Sequence, residues 1–219
     1  MRRRLILFAR APLPGRVKSR LAAEIGEQAA AGVYARFLYA TLLDLAESPT
    51  AGIDIHLSVA SPEDAPTFSQ AFSEFTVTVQ PQGDLGVRLS AAFGEAFQAG
   101  VDAAAVVATD VPALDTAIVR KGFHVLDRAP GVVGPCPDGG YYLIGLRAPG
   151  ASLFHPVDWG TERVLAQTEQ LAEEAGIRLE RLPPLLDIDT VEDLAKWARA
   201  PDRVNAVDET SSASGETTP

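Results

Sequence analysis

The 219-residue chain is predicted to be an α/β protein of three layers, α/β/α, with a central sheet that is mostly parallel and becomes mixed late in the chain. Three observations predict this. Short apolar runs alternate with longer amphipathic ones, and a strand–helix–strand order implies parallel pairing with helices on both faces. The run Ala103–Ala108 has no polar alternation, as expected of a strand buried on both faces in mid-sheet. Tyr141–Leu146 follows the apolar run 131–134 too closely for a helical crossover, so pairing there is antiparallel.

Taken in order, strands are predicted at 4–8, 53–60, 76–80, 103–108, 131–134, 141–146 and 178–182. Residues 25–46 form a predicted helix, because Val33, Phe37, Leu38, Leu42 and Leu45 recur at spacings of three and four. Ser61-Pro62-Glu63-Asp64 reads as a helix start, with Ser as N-cap, Pro at the first position and an acid at the third. Further helices are predicted at 85–99, 116–127 and 162–175. A last short one opens at Thr190-Val191-Glu192-Asp193 with a capping-box pattern. Residues 1–200 are expected to form a single domain. Residues 201–219, rich in Ser, Thr and acids and without apolar periodicity, are expected to be a disordered acidic tail.

Composition narrows the function. Lys plus Arg number 19 against 29 Asp plus Glu, a net charge of −10, which argues against a general nucleic-acid binder. The single cysteine, Cys136, excludes a disulfide scaffold and a multi-cysteine metal site. No run reaches the roughly 18 apolar residues of a membrane span. Arg2-Arg3-Arg4 followed by Leu5-Ile6-Leu7-Phe8 imitates a signal peptide, but the apolar run stops at Arg10, short of the roughly 7–15 residues of a signal-peptide core. The run is read as the first strand of a cytoplasmic protein, with no membrane and no nucleic-acid partner.

Ligands of open α/β sheets bind outside the carboxyl ends of the strands, and the informative residues lie there. After the first strand, the segment from Ala9 to Leu21 packs Arg10, Arg16, Lys18 and Arg20 around Pro12, Pro14 and Gly15. Backbone amides near a helix start together with mobile cations suit a phosphate or pyrophosphate; a solvated basic loop is the plainer reading. After the buried fourth strand, Asp110 either reaches the crevice, where it can hold Mg²⁺ beside phosphate oxygens, or caps a turn before Pro112. Asp187 and Asp189 alternate onto one side of an extended segment and fit a second metal position; alternatively one of them pairs with a loop arginine. In the loop Gln82-Gly83-Asp84-Leu85-Gly86-Val87-Arg88, the glycines allow close approach of a base or ribose. Asp138-Gly139-Gly140-Tyr141 offers a carboxylate, backbone groups and an aromatic wall to an acceptor, although a hairpin also uses Asp-Gly. Trp159, Gly160 and Thr161 are candidate pocket walls, as are His155 and Pro156.

Together these motifs resemble the nucleotide-diphospho-sugar transferase superfamily, with its Rossmann-like GT-A fold. They resemble more closely the bacterial "transferase 1, radical-SAM/selenodomain-associated" proteins, which are glycosyltransferase-like. The matching stretches are Pro12 to Leu21, Gln82 to Leu89, Thr109 to Leu114, Gly134-Pro135 with Asp138 to Leu146, Trp159-Gly160-Thr161, and Asp187 to Leu194. A more distant resemblance is to phospholactate guanylyltransferases. The superfamily resemblance implies Mg²⁺ (or Mn²⁺) held by Asp110 and by Asp187 or Asp189, with nucleotide phosphates in the first loop. The chain departs from typical glycosyltransferases in having Pro112 where an Asp-x-Asp would end, and from the guanylyltransferases around Tyr141-Tyr142.

The expected function is a Mg-dependent nucleotidyltransferase moving NMP from an NTP to a small phosphorylated or anionic acceptor, with release of pyrophosphate. Lys18, Arg20 and Asp110 are its catalytic candidates. Arg10, Pro14, Gly15, Arg16, Gln82, Gly83, Gly86 and Arg88 would complete the nucleotide site. Asp138, Gly139, Gly140, Tyr141, Trp159, Gly160 and Thr161 would form the acceptor site. A glycosyltransferase using an NDP-sugar and a non-catalytic nucleotide-binding module are the other readings. Because crowded ligand acids repel in an apo site, Asp110→Asn, Asp189→Asn and Asp187→Asn are expected to melt at or above the parent without metal.

Overall fold

The computed structural model describes residues 1–48 and 52–199, so the tail expected at 201–219 lies outside the described residues. The elements run β1 (Arg3–Ala9), α1 (Ser19–Ile25), α2 (Glu27–Glu47), β2 (Ile53–Val59), α3 (Ala65–Ala71), β3 (Thr76–Val79), α4 (Leu85–Gln98), β4 (Ala103–Ala108), α5 (Thr116–Leu126), β5 (Gly131–Pro135), β6 (Tyr141–Leu146), α6 (Val164–Glu174), β7 (Leu179–Arg181) and α7 (Val191–Ala198). Short 3-10 turns occupy Pro62–Asp64 and Ala151–Phe154. The seven strands form one sheet in the order β3-β2-β1-β4-β6-β5-β7. β6 pairs antiparallel with both β4 and β5, and the other pairings are parallel. The late mixing expected from the short link before Tyr141 is therefore a single reversed strand.

The period-two alternation of the strands divides the core into two layers. Leu5 and Leu7 of β1 and Ala105 and Val107 of β4 pack with Tyr34, Leu38 and Leu42 of α2 and Phe123 of α5. Ile6 and the intervening Ala104 and Val106 pack on the opposite face with Leu89 and Phe93 of α4 and Ala172 of α6. No described helix is long and apolar enough to cross a membrane.

The helix expected over 25–46 forms as α2, Glu27–Glu47, and is preceded by an unpredicted short helix, α1, from which it is separated at Gly26, whose φ of 84° only glycine adopts readily. The helix start read at Ser61 is corrected in its cap. Ser61 makes no side-chain capping bond; its hydroxyl accepts from Arg16 Nη2 at 3.0 Å. Asp64 lies in that first turn as expected, but it is buried and accepts from Ala11 N at 3.0 Å. The capping box at α7 forms as expected: Thr190 Oγ1 accepts from Asp193 N, and Asp193 Oδ2 accepts from Thr190 N at 3.0 Å.

Gly86, in the first turn of α4, serves packing. A Cβ at Gly86 would lie 2.3 Å from the Phe154 carbonyl oxygen and 2.9 Å from Trp159 Nε1. Gly86→Ala is expected to cost about 1–3 kcal/mol by overpacking, because a backbone atom must move. Urea unfolding measures it, and an unchanged midpoint would show that the segment around 154–159 yields freely.

Candidate active site

The parallel strands β1 and β4 are neighbours, in register from Arg3↔Ala103 to Phe8↔Ala108, so the residues that follow them emerge side by side. This brings Arg10 and Asp110 to one edge. Reversed β6 delivers Tyr141 to the same edge, because the start of an antiparallel strand lies beside the ends of its neighbours. The segment after β7 crosses back along that edge, with Leu182 N donating to Val133 O, Leu185 N to Pro135 O and Ile188 N to Asp110 O at 3.2 Å. Asp187 and Asp189 flank that last hydrogen bond.

Lys18 is the centre of the arrangement. Its Nζ donates to Asp110 Oδ2 at 2.7 Å and Asp189 Oδ1 at 2.5 Å, and its side chain is 6% exposed. Its backbone is left-handed, φ 50° and ψ 52°, an uncommon state for a residue with a Cβ that the two ion pairs help to hold. Burial alone would lower the pKa of this ammonium; the charges of Asp110 and Asp189 outweigh it, and the pKa is raised. The other loop cations are less mobile than the sequence suggested. Arg16 pairs with buried Asp64 at 3.2 Å, and Arg10 Nη1 donates to the Arg16 carbonyl at 3.0 Å. Arg20 lies 3.9 Å from Asp189 with its side chain 67% exposed.

The acids divide into two sets. Asp189 faces Lys18 and Arg20, whereas Asp187 sits with Cys136 and Asp138, their donor atoms within 4.8 Å of one another. Among the described residues no cation pairs with Asp187. Burial, then the charges of Asp138 and Asp110, push its carboxyl up to about 6. Burial, then the charges of Asp187, Asp138 and Asp110, push the Cys136 thiol up.

Three adjoining cavities open at this edge. The first, about 250 Å³, has mostly apolar walls, including Phe8, Leu89, Val106, Ile144 and Tyr141, with Gln80, Arg88, Arg10 and Asp110 as polar points. The second, about 360 Å³, is lined by Arg20, Asp138, Gly140, Tyr141, Trp159, Gly160, Thr161 and Glu162, among others. The third, about 460 Å³, is the cation-rich cleft of Arg10, Gly15, Arg16, Lys18 and Arg20, closed by Asp110 and Asp189. Arg10, Tyr34 and Asp110 are shared by the first and third, Leu85 and Tyr141 by the first and second, and Arg20 by the second and third.

Several sequence-predicted residues stand apart from these cavities. Pro14, Gln82, Gly83, Gly86, Gly139 and Asp187 line none of the three. The Asp138–Gly139 stretch is the β5–β6 hairpin turn. A Cβ at Gly139 would lie 2.1 Å from the Glu162 carbonyl oxygen, which ties the turn to the segment bearing Trp159. His155 and Pro156 also lie outside the three cavities.

Sequence reasoning missed Tyr34, Asp64 and the Thr109 hydroxyl. Tyr34 reaches from α2 to the strand ends, and a hydroxyl on an otherwise apolar helical stripe was the available signal. Thr109 Oγ1 donates to Phe8 O at 3.0 Å, so its hydrogen is committed and Tyr34 must donate in the 3.1 Å contact between the two hydroxyls. Arg10 N donates to the Tyr34 hydroxyl at 3.2 Å. One tyrosine thus joins the ends of β1 and β4, immediately before the residues that line the cleft. Tyr34→Phe is expected to cost about 1–3 kcal/mol by leaving the Arg10 amide unpaired. Denaturant titration checks this, and a parent-like midpoint would mean that another group accepts from that amide.

The fold, a mostly parallel seven-stranded sheet with one reversed strand, matches structures of the nucleotide-diphospho-sugar transferase class. The crystal structure of a candidate nucleotide-diphospho-sugar transferase from Desulfovibrio desulfuricans G20 is 30% identical, covers 94% of this chain and 90% of its own, and superposes with a TM-score of 0.85. The chain belongs to the family described as "Uncharacterized protein conserved in bacteria (DUF2064)", whose model matches residues 44–161. Two further structures share the fold. Rv0371C of Mycobacterium tuberculosis H37Rv, solved in complex with manganese, is 15% identical with a TM-score of 0.55, covering 90% of this chain and 97% of its own. CMP:2-keto-3-deoxy-manno-octonic acid synthetase complexed with CTP is 13% identical with a TM-score of 0.53, covering 90% and 97%. No curated protein matches the chain.

Proposed function

We propose that the chain is a nucleotide-using transferase, and within that class a nucleotidyltransferase transferring NMP from an NTP to a small acceptor. The observation that carries this reading is the juxtaposition of a mostly apolar cavity with a cation-rich cleft across shared walls at Arg10, Tyr34 and Asp110. The apolar cavity suits a base and ribose, and the cleft suits the triphosphate. Phosphoryl transfer needs positioning and charge neutralisation more than a covalent nucleophile. Lys18, Arg10 and Arg20 would stabilise the leaving pyrophosphate.

The carboxylates suit a divalent cation by donor chemistry, since Mg²⁺ and Mn²⁺ take oxygen ligands. Asp110 and Asp187, with Asp138 adjoining, are the residues proposed to hold it, because Asp187 is crowded by like charges and has no cation partner among the described residues. Asp189 is assigned instead to holding Lys18. When bound, such a cation supplies charge neutralisation at the phosphate oxygens. The complexes of fold-relatives with manganese and with CTP support the class of ligand.

The second cavity favours a sugar-transfer reading as well. Its aromatic pair, Tyr141 and Trp159, stands edge to face at 6.5 Å beside Asp138 and Glu162, walls that suit hydroxyl groups. The test is incubation of the whole chain and Mg²⁺ with each NTP plus a panel of small phosphorylated acceptors, and separately with NDP-sugars. Acceptor-dependent pyrophosphate release is expected; release of NDP from NDP-sugars alone would favour the glycosyltransferase, and binding without turnover a regulatory module.

A further inference from the structure

Two arginines line the apolar cavity, Arg10, which is shared with the cleft and donates to the Arg16 carbonyl, and Arg88, and among the described residues neither pairs with a carboxylate. Arg88, on the first turns of α4, donates from Nη1 to Gln80 Oε1 at 3.1 Å, its Nε is buried without an acceptor, and among the described residues no carboxylate pairs with it. Gln80 is itself committed. It is 6% exposed, and its Nε2 donates to Ser58 O at 2.7 Å, which fixes the amide so that its oxygen faces Arg88. The glutamine is therefore a mount, and the guanidinium is the group left to meet a ligand. A partly buried guanidinium with spare donors among apolar walls is costly until a ligand supplies acceptors.

We propose that Arg88, oriented by Gln80, reads the nucleotide base and selects guanine or cytosine over adenine and uracil. The proposal rests on the nucleotide reading of this cavity. Arginine has only donors, set in a planar fork that matches two adjacent acceptors. Guanine offers such a pair at O6 and N7, and cytosine at O2 and N3. Adenine places an amino donor beside its ring acceptors, and uracil places N3–H between its carbonyls, so either sets donor against donor. The cleft cations at Lys18 and Arg20 hold the phosphates and are indifferent to the base.

Calorimetric titration of the whole chain with GTP, CTP, ATP and UTP in Mg²⁺ tests this, repeated on Arg88→Met and Arg88→Lys, with inorganic triphosphate as a base-free control. The parent is expected to bind GTP or CTP roughly 5- to 150-fold more tightly than ATP and UTP, the range of one good bidentate base contact. Both variants should bind all four within a few-fold of one another, and triphosphate as the parent does. Arg88→Lys keeps the charge and guards against a folding defect in Arg88→Met. Equal affinities in the parent, a preference for ATP or UTP, or a preference that survives both substitutions would overturn the base assignment alone. Failure of every nucleotide to bind the parent would overturn the nucleotide reading beneath it.

Discussion

Replacing Lys18 with methionine is expected to lower the melting temperature by about 4–12 °C and to abolish nucleotide binding. The substitution keeps the length of the side chain and removes the one ammonium shared by Asp110 and Asp189. Stripping one partner from a fully buried ion pair costs about 3–5 kcal/mol. Here the acids are 29% and 39% exposed, so about 2–3 kcal/mol is expected, which converts at roughly 2–4 °C per kcal/mol for a domain of this size. The folded pKa of Lys18 is raised. Its contribution is therefore fully present below its ordinary value of 10.5 and is lost only as pH rises through the raised folded value, so the defect should be constant across neutral pH. Millimolar Mg²⁺ or Mn²⁺ should recover part of the loss by neutralising the same acids. A variant that melts with the parent would mean that Lys18 is a surface cation and its two short contacts contribute nothing.

The opposite sign is expected at Asp187. Asp187→Asn should raise the melting temperature of the metal-free protein at pH 7, whereas Asp110→Asn and Asp189→Asn should lower it. This reverses two of the three expectations drawn from like-charge crowding, because the ammonium of Lys18 compensates Asp110 and Asp189, whereas among the described residues no cation pairs with Asp187. The rise from 3.8 to about 6 corresponds to at most ~3 kcal/mol, and solvent screening of a partly exposed group reduces this to about 1–2 kcal/mol. A carboxyl raised in the folded state contributes stability that is fully present below its unfolded pKa of 3.8 and is lost as pH rises through about 6. The advantage of the asparagine variant should therefore grow between pH 4 and pH 7 and vanish below pH 4. Thermal melts in EDTA across that window check it, and a pH-independent difference would assign the effect to packing.

What was legible in the sequence was local. The basic loop, Asp110 after an apolar strand, the Asp-Gly turn and the capped helix after Asp187 and Asp189 are contiguous signals, and each lies at or beside the carboxyl edge of the parallel strands. What escaped was long-range. Nothing near Lys18 announces that its ammonium meets carboxylates 92 and 171 residues away. The buried Asp64 resembled an ordinary helix-start acid because its partners, Ala11 and Arg16, come from a different loop. Gly86 looked suited to a ligand's approach, and its actual neighbour is a backbone carbonyl nearly 70 residues on. The short helix α1 escaped because its seven residues bury only Leu21, too few apolar positions to show a helical period.

Titration of Mn²⁺ into the chain, followed by loss of the free-ion EPR signal with and without nucleotide, tests the central claim most directly. The parent is expected to bind Mn²⁺ at least tenfold more tightly with a nucleoside triphosphate present. Asp187→Asn should lose that enhancement, and Asp189→Asn should retain Mn²⁺ binding while weakening the nucleotide through a misplaced Lys18. Mn²⁺ binding that is indifferent to nucleotide in the parent, or an Asp187→Asn variant that binds as the parent does, would contradict a metal-dependent nucleotide site at this edge of the sheet.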